Sequence, residues 1–325
     1  MTPFIPDRFK HGAIIGATAC LPKPWRVPAR YAVLSRFQIA KAKRADVLII
    51  VHPKSGGTWL RVMLFRLYQE KYHFSSRRVF KTDELYRQSR HLPRFLITNG
   101  HYSYEGAVKK AWPSLRREVE SGHKKVLFVA RHPCDIVVSW YLQFTKRTKA
   151  YKRELINRML KNPVNRETIE MWEFVMHPEI GLPGLIDYFN TWQQYLSGLQ
   201  NILLVRYEDL RSDPHETLHR ITDFMGESFS PEVIKEAVEF ASMENLRKLE
   251  QANYFQNAGL SLRNAKDPDT LKVRRGKVGG YRDYFSPNQV AQLESLVQEK
   301  LDPVFGYGKG TAEKRDGESV VEAGT

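Results

Sequence analysis

Cysteine is scarce in this chain. Only Cys20 and Cys134 occur among 325 residues, which excludes a disulfide framework and a cysteine-built zinc site and fits a reducing compartment. Long apolar runs are missing as well. No stretch reaches the roughly 18 apolar residues that a membrane-spanning helix needs. The nearest leader-like stretch, Gly12 to Leu21, is short and follows Pro3, Pro6 and Asp7, which suit a signal sequence badly. Acidic residues are outnumbered: 36 Asp and Glu face 51 Lys and Arg, a formal charge of +15. That balance implies a polyanionic partner, whether nucleic acid, acidic lipid, or a small phosphorylated or sulfated ligand. Core material is plentiful. With 42% apolar residues the chain can bury a large core, and wholesale disorder is excluded. At about 150 residues per domain, the length suits two domains or one elaborated α/β domain.

Residues 1–45 read as a basic N-terminal arm, with nine Lys or Arg and one acid, Asp7. No clean amphipathic period runs through it, so it is expected to be a solvated arm over the core. Peripheral contact with a membrane surface is the sharper alternative. The pattern then changes. Val47–Val51 is a short, fully apolar, β-branched run, which reads as a buried parallel strand. Further strands are expected at Phe95–Thr98, Val126–Ala130 and Ile202–Val205. Helices are expected over Trp59 to Glu70, Asp135 to Phe144, and Pro214 to Met225 with Gly226 as its C-cap. This alternation predicts an α/β fold: an open parallel β-sheet flanked by α-helices on both faces. The segment 146–183 carries the cations Lys146, Arg147, Lys149, Lys152 and Arg153 and is expected to be a helical lid or insertion. Residues 306–325 are expected to be a disordered tail.

The sharpest local signal is His52-Pro53-Lys54-Ser55-Gly56-Gly57-Thr58-Trp59, set between a buried strand and a helix. Small residues let the backbone pass close to a ligand. Loop amides and the helix dipole then converge on one spot suited to phosphate. Lys54 adds a point charge. A nucleotide triphosphatase loop places its lysine after the glycines, and here the lysine precedes them. A second signal follows the third strand, Arg131-His132-Pro133-Cys134-Asp135 with Ser139 and Tyr141 beyond. Arg131 stands at a strand's carboxyl end, where open α/β sheets bind ligands. An arginine fork with a serine hydroxyl suits a phosphate monoester; a salt bridge from Arg131 to Asp135 is the plainer reading. A third signal is Arg274-Arg275-Gly276-Lys277-Val278-Gly279-Gly280, a glycine-hinged basic loop able to close over an anion.

Taken in order, these segments resemble the sulfotransferases that use 3′-phosphoadenosine 5′-phosphosulfate (PAPS). Pro-Lys-Ser-Gly-x-Thr-Trp is similar to that family's 5′-phosphosulfate loop, with Gly57 in place of the usual first threonine. Arg-x-Pro-x-Asp-x-x-x-Ser-x-Tyr resembles its 3′-phosphate segment, and Arg274 to Phe285 its late Arg-Lys-Gly loop. Leu203 to Leu210 is a fainter echo, with Tyr207 on the adenine side. The resemblance implies a P-loop-like fold over residues 46–305, PAPS as donor, 3′-phosphoadenosine 5′-phosphate (PAP) as product, and no metal. It implies cofactor binding by Lys54, Ser55, Gly56, Gly57, Thr58, Trp59, Arg131, Ser139, Tyr207, Arg274, Arg275 and Gly276. The family's dimerisation motif would fall at Arg282, Ser286, Pro287 and Ala291, and it is not kept.

Sulfuryl transfer is close kin to phosphoryl transfer, so positioning and electrostatics supply most of the rate. The leaving phosphate oxygen needs a positive donor, Lys54. The acceptor hydroxyl needs a base, preferably histidine. The family's histidine follows the second strand, and His101 aligns to it with a one-residue shift and without the preceding lysine. His52, His123 and His132 flank phosphate motifs or sit on loops and rank lower; Glu105 and Asp83 are reserves. The resemblance also implies that Ser139 restrains Lys54. The acceptor is a small molecule, lipid or glycan, with Tyr102, Tyr104, Trp112, Trp172 and the 146–153 cations as candidate lining, and the location is cytoplasmic. Two other readings are a P-loop nucleotide kinase or hydrolase, which magnesium dependence would reveal, and a basic nucleic-acid-binding protein, which the charge alone supports.

Overall fold

The computed structural model describes residues 7–77, 79–80, 84–255 and 276–308. Four strands form one parallel sheet: β1 (Val47–Val51), β2 (Phe95–Thr98), β3 (Lys125–Ala130) and β4 (Ile202–Arg206), in the order β2-β1-β3-β4. The central strand β1 is buried along its whole length. Alternate residues leave to opposite faces, as strand geometry requires. Leu48, Ile50, Val126, Phe128 and Ala130 enter one core. Val47, Ile49, Val51, Leu127 and Val129 enter the other. Parallel strands need crossovers, and the helices that supply them cover both faces.

In chain order the helices are α1 (Asp7–Ala17), α2 (Lys23–Arg44), α3 (Gly57–Tyr72), α4 (Glu84–Gln88), α5 (Ala107–Glu120), α6 (Pro133–Leu142), α7 (Ala150–Asn157), α8 (Met171–Met176), α9 (Leu182–Leu196), α10 (Tyr207–Ser212), α11 (Pro214–Met225), α12 (Pro231–Phe240), α13 (Met243–Gln251) and α14 (Pro287–Lys300). Helices α5, α6, α9 and α14 bury residues in the first core, and α3, α11 and α12 in the second. Local chemistry sets several boundaries. Asp213 accepts from the Glu216 amide at 3.1 Å to start α11, and Gly226 ends it at φ +79°, a left-handed cap that favours glycine. Between α6 and α7 the chain runs through a wide π-type turn, Gln143–Arg147.

The N-terminal arm is helical over α1 and α2. One face of α2 buries Val27, Leu34 and Ala42, but also Arg30, Ser35 and Gln38. Those polar residues interrupt the apolar period, which is why no amphipathic pattern stands out. Arg30 and Gln38 have partners on the buried side, whereas the Ser35 hydroxyl has none among the described residues. Arg30 donates to Thr18 Oγ1 at 2.7 Å and the Ile15 carbonyl at 3.0 Å, and reaches Glu154 on α7 at 3.3 Å. Gln38 donates to Thr98 Oγ1 at 3.0 Å, at the end of β2. The outer side leaves Trp25, Val33 and Phe37 exposed. The segment 146–183 contains α7 and α8 and shares a core of Ile156, Val164, Ile169, Phe174 and Ile180 with Tyr102, Trp140 and Phe144. Of the tail, 309–325 lie outside the described residues. Among the described residues, no helix is long and apolar enough to cross a membrane.

Phe128 on β3 is fully buried against Tyr188, Phe189 and Phe305. Phe128→Ala is expected to cost about 3–5 kcal/mol, read as a lowered urea midpoint.

Candidate active site

The carboxyl ends of β1, β2 and β3 open onto two neighbouring cavities. The first, about 150 Å³, is lined by Lys54, Gly56, Gly57, Thr58, Trp59, Arg131, Ser139, Tyr207 and Gly276, with Asp135, Met243 and Leu246 adding to its wall. The second, about 410 Å³, lies on the side of β2 and α7. Lys54, Gly57 and Thr58 line both.

The loop between β1 and α3 is tightly constrained. Lys54 has φ +79° and Gly56 φ +90°. A lysine in the left-handed region is a strained residue of the kind that gathers at ligand sites. A Cβ on Gly56 would stand 2.6 Å from the Tyr207 ring, so only glycine lets the loop cross that ring. Gly57 is explained in the same way: its Cβ would lie 2.8 Å from both methyls of Val51. The strand valine occupies the space that a threonine would need. Ser55 is wholly buried and its Oγ has no hydrogen-bond partner among the described residues. An orphaned hydroxyl under a loop of converging amides suits an anionic ligand oxygen.

Arg131 joins separate segments. Its guanidinium donates to the Lys54 carbonyl at 3.2 Å and the Lys277 carbonyl at 3.1 Å, and lies 4.3 Å over the Tyr207 ring. It also meets Asp135 at 3.5 Å. Asp135 does more than pair with it. Buried at the start of α6, its carboxylate accepts from the Gly279 amide at 2.8 Å and the Tyr281 amide at 3.1 Å. The late glycine loop is thereby docked onto the Arg131–Ser139 segment. Ser139 faces the same cavity from α6. Tyr207, buried as a strand-end aromatic would be, nonetheless turns its ring to the cavity, and its hydroxyl reaches the Gly276 carbonyl at 3.4 Å. Trp59 donates to the Ala241 carbonyl at 2.7 Å and meets Tyr207 edge-on. Arg274, Arg275 and Asp83 lie outside the described residues. Met243 and Leu246 of α13 were not legible as site residues, because no motif marks them and only the fold brings them to the cavity.

The histidines divide. His101 lines neither cavity. Its ring packs edge-on against Tyr102 and Tyr188, and Lys109 Nζ lies 2.7 Å from its Nδ1. An ammonium can only donate, so Nδ1 accepts and Nε2 carries the hydrogen. The turn that aims His101 is fixed. Glu105 accepts from the Asn99 amide and side chain, each at 2.8 Å, while Asn99 Oδ1 accepts from the His101 and Tyr102 amides at 2.8 and 2.7 Å. His52 lines the second cavity beside Lys54. Its Nδ1 lies 2.7 Å from the Pro53 carbonyl. A carbonyl only accepts, so Nδ1 carries the hydrogen and Nε2 is the acceptor, 3.4 Å from the Tyr102 hydroxyl that can donate to it, in a ring buried edge-on against Tyr102, Trp140 and Tyr188. Burial pushes His52 down to about 3, against the pull of the Pro53 hydrogen bond. Burial, then Lys109 and His52, push His101 down to about 3. Of the candidate acceptor residues, Tyr102, Tyr104, Arg147, Lys149 and Lys152 line the second cavity. Trp112 packs instead against Trp192, and Trp172 against Phe285. Among the described residues, no three His, Cys, Asp or Glu cluster as metal ligands would.

Gly57→Thr is expected to overpack the loop by about 1–3 kcal/mol, seen as a lowered melting temperature, with Val51→Ala in the same chain recovering at least half of the loss. Acid should also act through the two buried histidines. The unfolded chain takes up their protons below about pH 6.5, whereas the folded chain resists until about pH 3. Stability is therefore fully present above pH 6.5 and falls as pH drops. Melting temperature between pH 6.5 and 5 should decline less steeply for His52→Gln than for the parent chain.

The profile of the sulfotransferase domain matches residues 44–305. Flavonol 3-sulfotransferase of Flaveria bidentis is 24% identical over 289 residues, covering 81% of this chain and 84% of that protein. Cytosolic sulfotransferase 15 of Arabidopsis thaliana is 26% identical over 290 residues, covering 83% and 76%. In fold, a mouse sulfotransferase complexed with PAP superposes with a TM-score of 0.52 at 18% identity, covering 82% of this chain and 90% of its own. A retinol dehydratase in complex with androsterone and PAP also gives 0.52 at 18% identity, over 78% and 80%. With a match across most of its length and an open parallel sheet that carries the motif loops at its carboxyl edge, this chain belongs to the sulfotransferase domain family.

Proposed function

We propose that the protein moves a sulfuryl group from PAPS to a hydroxyl or amine of a small acceptor. The observation that carries this reading is the pair of cavities that meet at Lys54, Gly57 and Thr58. One suits a nucleotide and the other a second substrate, so donor and acceptor would approach each other across the β1–α3 loop. Bound PAPS supplies the activated sulfuryl group. The chain's own residues do the rest. The loop amides and α3 hold the 5′-phosphosulfate, with Ser55 Oγ as a further donor. Arg131 and Ser139 hold the 3′-phosphate. Trp59 and Tyr207 give apolar surface for the base. Lys54 neutralises charge on the leaving phosphate oxygen.

For the acceptor proton we propose His52 rather than His101. His52 lines the second cavity with its Nε2 beside the Tyr102 hydroxyl, whereas His101 lines neither cavity and accepts from Lys109. An anionic sulfuryl group beside Lys54 would raise the basicity of a neighbouring imidazole toward the useful range. A cytoplasmic location accords with the scarcity of cysteine and with relatives named cytosolic.

The decisive assay is transfer from radiolabelled PAPS to a panel of phenols, alcohols and amines without added metal. Lys54→Ala and His52→Ala should each lower turnover at least ~100-fold, and His101→Ala should stay within ~10-fold. The reverse ranking of the histidines would return the base to His101. Arg131→Ala should weaken PAP at least ~10-fold and leave adenosine 5′-phosphate binding little changed, as isothermal calorimetry would show.

A further inference from the structure

The second cavity has a charge that the transfer reaction leaves unused. Its lining includes Lys54, Arg61, Arg147, Lys149 and Lys152 against one acid, Glu105. Lys54 serves the donor, and the remaining four cations against one carboxylate still leave a surplus. Three of these cations come from two separate elements. Arg61 stands on α3, just past the loop; Lys149 caps the start of α7, and Lys152 lies in its first turn. Neither lysine has a carboxylate partner for its ammonium among the described residues, and the Arg61 Nε has no hydrogen-bond partner there. Burial lowers Arg61 to about 10, against the pull of Glu84.

Like charges converging on one cavity repel each other, and that cost is removed by an anion between them. Part of the wall is aromatic, with Tyr102 and Trp140 stacked 5.6 Å apart and Tyr104 and Tyr151 also lining it. An aromatic wall suits a flat apolar body, and a cationic rim suits an acidic substituent.

We propose that the acceptor of this protein is a hydroxylated aromatic molecule carrying an anionic group, held by Lys149, Lys152 and Arg61 while its hydroxyl faces Lys54. The anion is a carboxylate, phosphate or sulfate, all of which present the same oxygens to these cations. This inference rests on the sulfuryl-transfer reading.

Calorimetry on the PAP-loaded protein at low ionic strength tests it, with 3-(4-hydroxyphenyl)propanoate and its neutral amide as probes. The acid is expected to bind at least ~10-fold more tightly than the amide. The double variant Lys149→Gln/Lys152→Gln should abolish that preference and leave PAP affinity unchanged. 4-Hydroxyphenyl phosphate should follow the acid. Equal binding of acid and amide, binding of neither, or a preference that survives in the variant would overturn the anionic-acceptor assignment. If PAP itself fails to bind at millimolar concentration, the transfer reading fails instead, so the two outcomes are separate.

Discussion

The cavity at the carboxyl ends of β1 and β3 depends on one largely buried ion pair. Arg131 and Asp135 lie one helical turn apart, and each uses its remaining bonds on a distant segment. The arginine ties the Lys54 carbonyl to the Lys277 carbonyl, and the aspartate accepts two amides of the 279–281 loop. A buried carboxylate is expensive unless it is fully satisfied, and here a cation and two backbone donors satisfy it. The pair therefore fixes the relation between the end of β1, the start of α6 and the late loop. The cavity keeps its shape only while all three are held in register.

Around that knot, steric fit selects the residues. Gly56 is set by the Tyr207 ring and Gly57 by the methyls of Val51. The departure from the family's threonine at position 57 is thus a packing consequence of the valine that ends β1. Gly57 still lines both cavities, so a lost hydroxyl need not mean a lost anion site. On the other side of the loop, the Asn99–Glu105 hydrogen bonds turn the chain after β2 and send the His101 ring toward Tyr188. The second cavity is left bordered by His52, by tyrosines and by the cations of α3 and α7.

Much of this was legible along the chain. The strand at Val47–Val51 and the helix at Pro214–Met225 stand where their residues predict, because a fully apolar β-branched run and a proline start with a glycine cap are local signals. The phosphate loop was legible for the same reason: a strand, small residues and a helix start are contiguous. The inner face of α2 was hidden because polar residues are buried there, Arg30 and Gln38 by partners outside the helix. Met243 and Leu246 were hidden because nothing in an ordinary amphipathic helix marks it as a cavity wall.

By itself, then, the sequence determined the parallel sheet, the family and the loops that gather at the sheet's carboxyl edge, since each rests on local patterns. Which histidine lines the second cavity was decided only by tertiary structure. A side chain's direction after a strand follows from the turn that carries it and from the rings packed behind it. For His101 these are Asn99, Glu105 and Tyr188, and for His52 the Pro53 carbonyl and Tyr102. Tyr188 in particular comes from a distant helix, and no spacing of letters encodes the angle at which its ring meets the turn.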